Sequence, residues 1–304
     1  MPVPFTEVTK GLDDLLTYLD GKSEKWLKSL YRGDFETRKY VNMRQFKNWM
    51  SQYLIPKIGQ NSEDIKILVQ NPVKSACEAG YDGFNMNGKC LPNCMTGYEM
   101  KDKGYFGKVM AVTPKIIQDV NDKMMPIWEQ AGYLGAYSAE LRITEGGKAH
   151  YIDPTCRVAS PPGEAMTAGL LNYSEVVDSI ANEEEPVMKW KAEYCAELIL
   201  TSDWYDKHEL CVEFPKEYED NIKLKMHTKR GGAYYCIPNG NGGFFGAVVA
   251  WDNDPKKAQE KVKAIAKEII CDELEVDGTV FAGCDEAIEA GEKFGIDFSA
   301  KGLQ

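Results

Sequence analysis

Basic charge is in short supply in this chain of 304 residues: 36 Lys and Arg stand against 47 Asp and Glu, a formal net charge of −11. A surface of that sign repels a phosphate backbone, which excludes nucleic acid as a primary partner. No apolar run approaches the ~20 residues that a bilayer-spanning helix needs, and no signal-peptide stretch opens the chain, so no membrane association is expected. Paired cysteines are missing too. Nine cysteines are scattered along the chain, as reduced intracellular thiols are. Cys90 and Cys94 form the only close pair, and without a second pair nearby they read as buried small side chains rather than part of a zinc site. Histidine is scarcer still, at three. His208 and His227 have no partner in sequence and His150 reads as structural, which leaves a catalytic triad without support. No internal repeat or low-complexity tract is present. These absences describe a soluble, cytoplasmic protein.

What is there is an ordinary globular chain, long enough for two or three lobes with sizeable cores. Apolar residues at Leu12, Leu15, Leu16 and Leu19 predict a helix over 11–20, and residues 26–29 predict a strand. Phe46, Trp49, Met50, Tyr53 and Leu54 recur at helical spacing until Pro56 and Gly59 close the run. Residues 65–69 then read as a buried strand. A strand over 80–86 and a helix over 114–132 follow, with Glu183-Glu184-Glu185-Pro186 as the clearest linker. Beyond it, residues 195–200, 210–214, 233–237 and 244–251 read as strands. Pro255 opens a helix carrying Ala258, Val262, Ile265, Ala266 and Ile269 on one face. Gly240-Asn-Gly-Gly243 neither follows a strand nor opens a helix as a phosphate loop does, and reads as a hairpin connection. The fold class is α+β.

The segment over 137–157 carries the chemistry. Gly146-Gly147 between two alternating runs is a two-residue hairpin signal. If Glu145 and Lys148 flank that turn, Glu140 lies directly opposite Asp153. Two carboxylates roughly 5 Å apart repel each other unless a proton or cation lies between them. A divalent ion such as Mg²⁺, which takes hard oxygen ligands and keeps some of its waters, would relieve this. A solvated edge hairpin with Arg142 neutralising one acid is the competing reading.

These residues, with the segments around them, resemble an ATP-grasp ligase, most closely the phosphoribosylamine–glycine ligase (glycinamide ribonucleotide synthetase) branch. In that superfamily an acid on one strand and an acid-x-Asn pair on the next hold Mg²⁺ against the nucleotide phosphates, and an arginine follows. The resemblance makes Glu140 the first acid, Asp153 the second, Thr155 the Asn position and Arg157 the arginine. Ser160-Pro161-Pro162-Gly163-Glu164 is similar to the loop after the metal motif. Upstream, Trp26-Leu-Lys28-Ser-Leu-Tyr-Arg32-Gly33 looks like the strand lysine and glycine loop that contact ATP phosphates. Gln70, Asn71 and Val73 fall in a segment like the adenine-reading hinge, and Glu78 where a ribose-binding glutamate is usual. The run through Lys101-Asp102-Lys103 resembles the branch's lysine segment, and residues 242–251 with the helix from Pro255 resemble its C-terminal domain.

The resemblance implies an ATP-grasp fold with an incomplete small lobe over 1–70, a catalytic lobe with the metal site over 71–182, and a C-terminal α+β domain over 187–304. It implies ATP and Mg²⁺ (or Mn²⁺) as cofactors, and a carboxylate and an amine as small-molecule substrates joined through an acyl phosphate. It departs from the family in four ways, one being that the glycine-rich substrate loop of the purine enzymes is not evident over 103–112. The chain begins almost at the strand lysine, Thr155 replaces the usual Asn, and Asp153 replaces the usual Glu. A nucleotide-binding pseudoenzyme, or a subunit whose protein partner supplies an N-terminal domain, is therefore the alternative.

Each residue then has two possible roles. Thr155 is a third ligand or a turn residue after Pro154. Arg157 offers a donor fork to phosphate or forms a salt bridge with Glu164. Lys28 neutralises an α- or β-phosphate or is an exposed strand lysine. Lys101 contacts phosphate or substrate, or belongs to a solvated loop. Arg142 binds a substrate anion or supplies the counter-charge of the hairpin. Glu78 accepts from ribose hydroxyls or has no ligand.

Overall fold

The computed structural model describes residues 3–30, 37–238 and 243–299, and these divide into two compact units. The first runs to Ser75 and adds residues 150–152; the second holds residues 76–149 and those from Asp153 onward.

In the first unit, β1 (Thr6–Lys10), β2 (Lys25–Ser29), β3 (Thr37–Tyr40) and β4 (Lys66–Gln70) form one antiparallel sheet in the order β1-β4-β2-β3. Leu27, Ile67 and Val69 are buried with Leu12, Leu15 and Leu19 of α1 (Leu12–Leu19), as the helical spacing requires. Phe46, Met50, Leu54 and Ile58 complete that core. They come from one helical stretch: α2 (Met43–Trp49), capped by the Asn42 side chain, a π turn (Met50–Leu54) and α3 (Ile55–Ile58). Strand β1 has no counterpart in the sequence reading, because most of its side chains are exposed and only Thr9 is buried.

The second unit is built on a ten-stranded sheet. Its strands are β5 (Cys77–Met86), β6 (Lys89–Cys90), β7 (Cys94–Met100), β8 (Gly104–Met110), β9 (Leu134–Ile143), β10 (Ala149–Thr155) and β11 (Tyr194–Ser202). Separately, β12 (Leu210–Val212) lies in a three-stranded sheet with β14 (His227–Arg230) and β15 (Ala233–Cys236). The large sheet is completed by β13 (Ile222–Leu224), β16 (Phe244–Asp252) and β17 (Leu274–Glu275). Its order is β10-β9-β5-β7-β8-β11-β16-β13, with β6 on β5 and β17 on β11. Strands from both sides of the Glu183–Pro186 run thus share one sheet. The helices are α4 (Lys115–Gln130), α5 (Gly163–Gly169), α6 (Tyr173–Ala181), α7 (Pro255–Ala266) and α8 (Cys284–Glu292). Asp254 caps α7 by accepting from the N–H groups of Lys256 and Lys257, and Ala258, Val262, Ile265 and Ala266 are its buried apolar positions.

Period-two alternation divides the large sheet into unlike faces. Ala79 and Tyr81 of β5, and Ala139, Leu141 and Ile143 of β9, point into a core. The residues between them point the other way, and the register aligns them: Glu78 with Arg142, Gly80 with Glu140, Asp82 with Ser138. The same face continues through Gly97 and Glu99 on β7, Tyr105 and Gly107 on β8, and Glu197 on β11. Gly97 and Gly107 are opposed, and a Cβ on either would stand 2.3 Å from atoms of the Tyr105 ring. Their lack of a side chain lets that ring lie flat on the sheet.

The β9–β10 hairpin differs from the two-residue turn its sequence suggests. Thr144 N–H donates to Lys148 O at 3.0 Å, and Gly147 N–H to Thr144 O at 2.9 Å. Residues 145–147 therefore form a three-residue loop in which only Gly147 has positive φ (75°). The closing pair is Thr144 and Lys148, so the register at the turn is shifted by one residue. Carried along the hairpin, it moves Asp153 one step from the position directly opposite Glu140.

Candidate functional site

Five charged side chains meet on the polar face of the large sheet. Arg142 Nη2 lies 3.1 Å from Glu78 Oε1 and donates to Glu78 Oε2 at 3.2 Å, the cross-strand pair that the β5–β9 register places side by side. Arg142 Nε lies 3.9 Å from Glu140 Oε1 and is buried without a hydrogen-bond partner. On the β7–β8 hairpin, Lys101 Nζ lies 3.5 Å from Glu99 Oε1. Three carboxylates thus surround two cations. Burial raises the Glu140 carboxyl above its ordinary range, and Glu99 and Glu78 add to this against the pull of Arg142 and Lys101. Burial likewise raises Glu99, with Lys101 opposing it. Burial alone would lower Lys101, but Glu99, Asp102 and Glu140 hold it above its usual value. Burial leads both carboxylate shifts, and the Lys101 shift reports the acids that surround it.

Further along the same face of β5 lies Asp82, 4% exposed. Its Oδ2 accepts from Tyr105 O–H at 2.9 Å and its Oδ1 from Ser138 O–H at 2.6 Å. Burial still pushes its carboxyl up to about 6, outweighing those two bonds.

The structure thus brings Glu140, Arg142, Glu78 and Lys101 together. Glu99 and Asp82 were missed. Residues 95–100 and 104–110, which the sequence reading left without strands, form all but the first residue of β7 and the whole of β8, and Lys101 sits in the tight turn between the two strands. Asp153 is exposed near the end of β10, and Thr155 is half-buried two residues on. Arg157 is exposed and its Nη1 donates to Val158 O at 2.9 Å, while Glu164 lies 3.5 Å from Lys225 Nζ.

The remaining candidates belong to the first unit. Lys28 is half-buried and its Nζ donates to Ile152 O at 2.9 Å, the residue before Asp153 in sequence. Gln70 Nε2 donates to Thr6 Oγ1 at 3.1 Å. Asn71 N–H donates to Phe5 O at 3.0 Å, and its Oδ1 accepts from Lys25 Nζ at 2.8 Å. Val73 lies half-buried in the irregular connection between β4 and β5. Arg32 and Gly33 lie outside the described residues, as does most of the Gly240-Asn-Gly-Gly243 segment.

No protein-family model and no curated protein sequence matches the chain. Solved structures do. Phosphoribosylamine–glycine ligase of Thermotoga maritima superposes with a TM-score of 0.67 at 14% identity, over 90% of this chain and 73% of that one. The biotin carboxylase of Campylobacter jejuni, solved with an ATP analogue, gives 0.60 at 12% identity, over 90% of this chain and 64% of that one. The biotin carboxylase domain of Hydrogenobacter thermophilus 2-oxoglutarate carboxylase, solved with MgADP, ADP and bicarbonate, gives 0.63 at 11% identity, over 97% and 68%. The chain has the ATP-grasp fold. It spans about two thirds to three quarters of the length of these ATP-grasp structures.

The donor chemistry of the polar face fits a hard divalent ion. Among the described residues no three His, Cys, Asp or Glu side chains form a complete protein cage. Mg²⁺ does not need one, because it is held by one or two carboxylates together with waters and substrate phosphates. Glu140 is a carboxylate that could take this role, since a neighbouring cation would oppose the upward push of burial, Glu99 and Glu78.

Proposed function

We propose that this chain binds Mg–ATP on the polar face of its large sheet and is an ATP-dependent carboxylate–amine ligase, similar to phosphoribosylamine–glycine ligase. The observation that carries the reading is the cluster of Glu78, Glu99 and Glu140 around Arg142 and Lys101, set in an ATP-grasp fold. Bound Mg–ATP supplies the phosphoryl group that converts a substrate carboxylate to an acyl phosphate, releasing ADP; attack by an amine then forms the C–N bond and releases phosphate. Little covalent chemistry falls to the protein, whose task is positioning and charge neutralisation. Glu140 and Asp153, with Thr155, would hold Mg²⁺ or Mn²⁺. Arg157 would present its planar fork to the transferred phosphoryl group, and Arg142 and Lys101 would hold the substrate anion. Lys28 and Arg32 would neutralise the polyphosphate, Gln70, Asn71 and Val73 would line the adenine, and Glu78 would face the ribose.

A second reading keeps nucleotide binding without turnover, in a pseudoenzyme or a subunit completed by a protein partner. It is favoured by Thr155, whose hydroxyl is a poorer metal ligand than an amide carbonyl. Hydroxylamine, which traps acyl phosphates as hydroxamates, separates the two readings. With Mg–ATP and a panel of small carboxylic acids, the ligase reading expects carboxylate-dependent ADP and hydroxamate in equal amounts. ATP binding without any carboxylate-dependent ADP would overturn it in favour of the second.

A further inference from the structure

Where α5 meets the sheet lies a group of polar side chains that the nucleotide reading does not use. Glu197 of β11 is fully buried. Its Oε2 accepts from the Ala165 N–H in the first turn of α5 at 3.0 Å. Its Oε1 meets no protein N–H or hydroxyl donor, nor does Oε2 of Glu164, and both oxygens are sealed from solvent. The Glu164 side chain is close enough for its charge to raise the Glu197 carboxyl. Carboxylates only accept, so two of them bond only with a proton between them. One shared proton would give both orphaned oxygens a partner.

Glu164 is the member that meets a cation and a hydroxyl donor. Its Oε1 accepts from Ser160 O–H at 3.0 Å and lies 3.5 Å from Lys225 Nζ, which also donates to Ser160 Oγ at 3.2 Å. Burial, followed by the charge of Glu164, pushes the Glu197 carboxyl well above its ordinary range, so Glu197 is the member that keeps the proton. The other titratable groups facing Glu197 are Tyr105 of β8 and Cys195 on its own strand, both held neutral chiefly by burial.

The group ties one segment down. Helix α5 is pressed so closely to β16 that a Cβ on Gly169 would stand 2.1 Å from the Trp251 indole, whose Nε1 donates to Ala165 O at 3.0 Å. Residues 157–163 lead into this helix and fold back on themselves, a Cβ on Gly163 meeting Val158 at 2.4 Å. Ser160 is the middle of that segment and Arg157 its start. We propose that Glu197 and Glu164 share one proton as a clasp, and that Glu197 is thereby a positioning residue holding residues 157–163 in place. The importance of that segment to catalysis rests on the ligase reading, through Arg157; the clasp does not.

Hydrogen exchange over residues 163–170, followed against pH without nucleotide in the native chain, Glu197→Gln and Glu197→Ala, tests this. A carboxyl whose folded-state pKa is raised stabilises at low pH, and that contribution is lost as pH rises through the folded value. The native segment should therefore lose protection toward alkaline pH. In Glu197→Gln the amide donates to Glu164 Oε2 and its carbonyl still accepts from Ala165, so protection should persist and the pH dependence vanish. Glu197→Ala should exchange about tenfold faster or more at every pH. The infrared stretch of a neutral carboxyl at pH 7, present in the native chain and absent in Glu197→Gln, decides the matter even if Glu197→Ala fails to fold. Equal pH slopes in native and Gln chains, or no neutral-carboxyl band, would overturn the clasp. Failure to bind Mg–ATP would instead sink the ligase reading and leave the clasp standing.

Discussion

Asp82 shows what a buried acid costs and how it can be measured. Two hydroxyl donors satisfy it, yet its carboxyl stays near 6 because burial disfavours the charge. With the folded value above the unfolded one, its contribution is complete at low pH and is lost as pH rises through about 6. Relative to Asp82→Asn, the native chain should therefore lose about 2 kcal/mol of stability between pH 4 and pH 7. Denaturant melts of both chains at the two pH values check this, and parallel curves would contradict it. Gly97 makes a steric prediction: in Gly97→Ala the new methyl meets the Tyr105 ring, which must leave Asp82, at a cost of about 1–3 kcal/mol. A melt of that variant reads the cost directly.

At the scale of elements, the β9–β10 turn separates two adjacent glycines. Gly147 has positive φ and Gly146 does not, so Gly147→Ala should destabilise by about 1 kcal/mol while Gly146→Ala is nearly neutral. Thermal melts of the pair check the three-residue turn, and the reverse ranking would restore the two-residue one. The contrast marks how far sequence could be read. Helices α1, α4 and α7 were legible because their apolar residues keep helical spacing, and β4, β5 and β16 because apolar runs stop at turn residues. Strands β7 and β8 were not, since Gly97, Gly104 and Gly107 break the pattern and Tyr105 covers Gly97 and Gly107 from the polar side. With those strands unread, Glu99 and Asp82 had no visible neighbours. Glu140, Arg142 and Glu78 were legible as types of residue; their meeting depends on the β5–β9 register, which pairs segments some sixty residues apart and leaves no local signature.

For the molecule as a whole, the net charge of −11 leaves few cations to spare, and two of them are spent inside a carboxylate cluster. A polyanionic nucleotide is therefore expected to bind only with its metal. The most direct measurement is the melting temperature with ATP alone, Mg²⁺ alone and Mg–ATP, in the native chain and in Glu140→Ala. At a hundred times its Kd, a ligand adds about 2.7 kcal/mol of stability. The account predicts a shift of that size with Mg–ATP only, abolished in Glu140→Ala. No shift in the native chain, or an undiminished one in the variant, would contradict it.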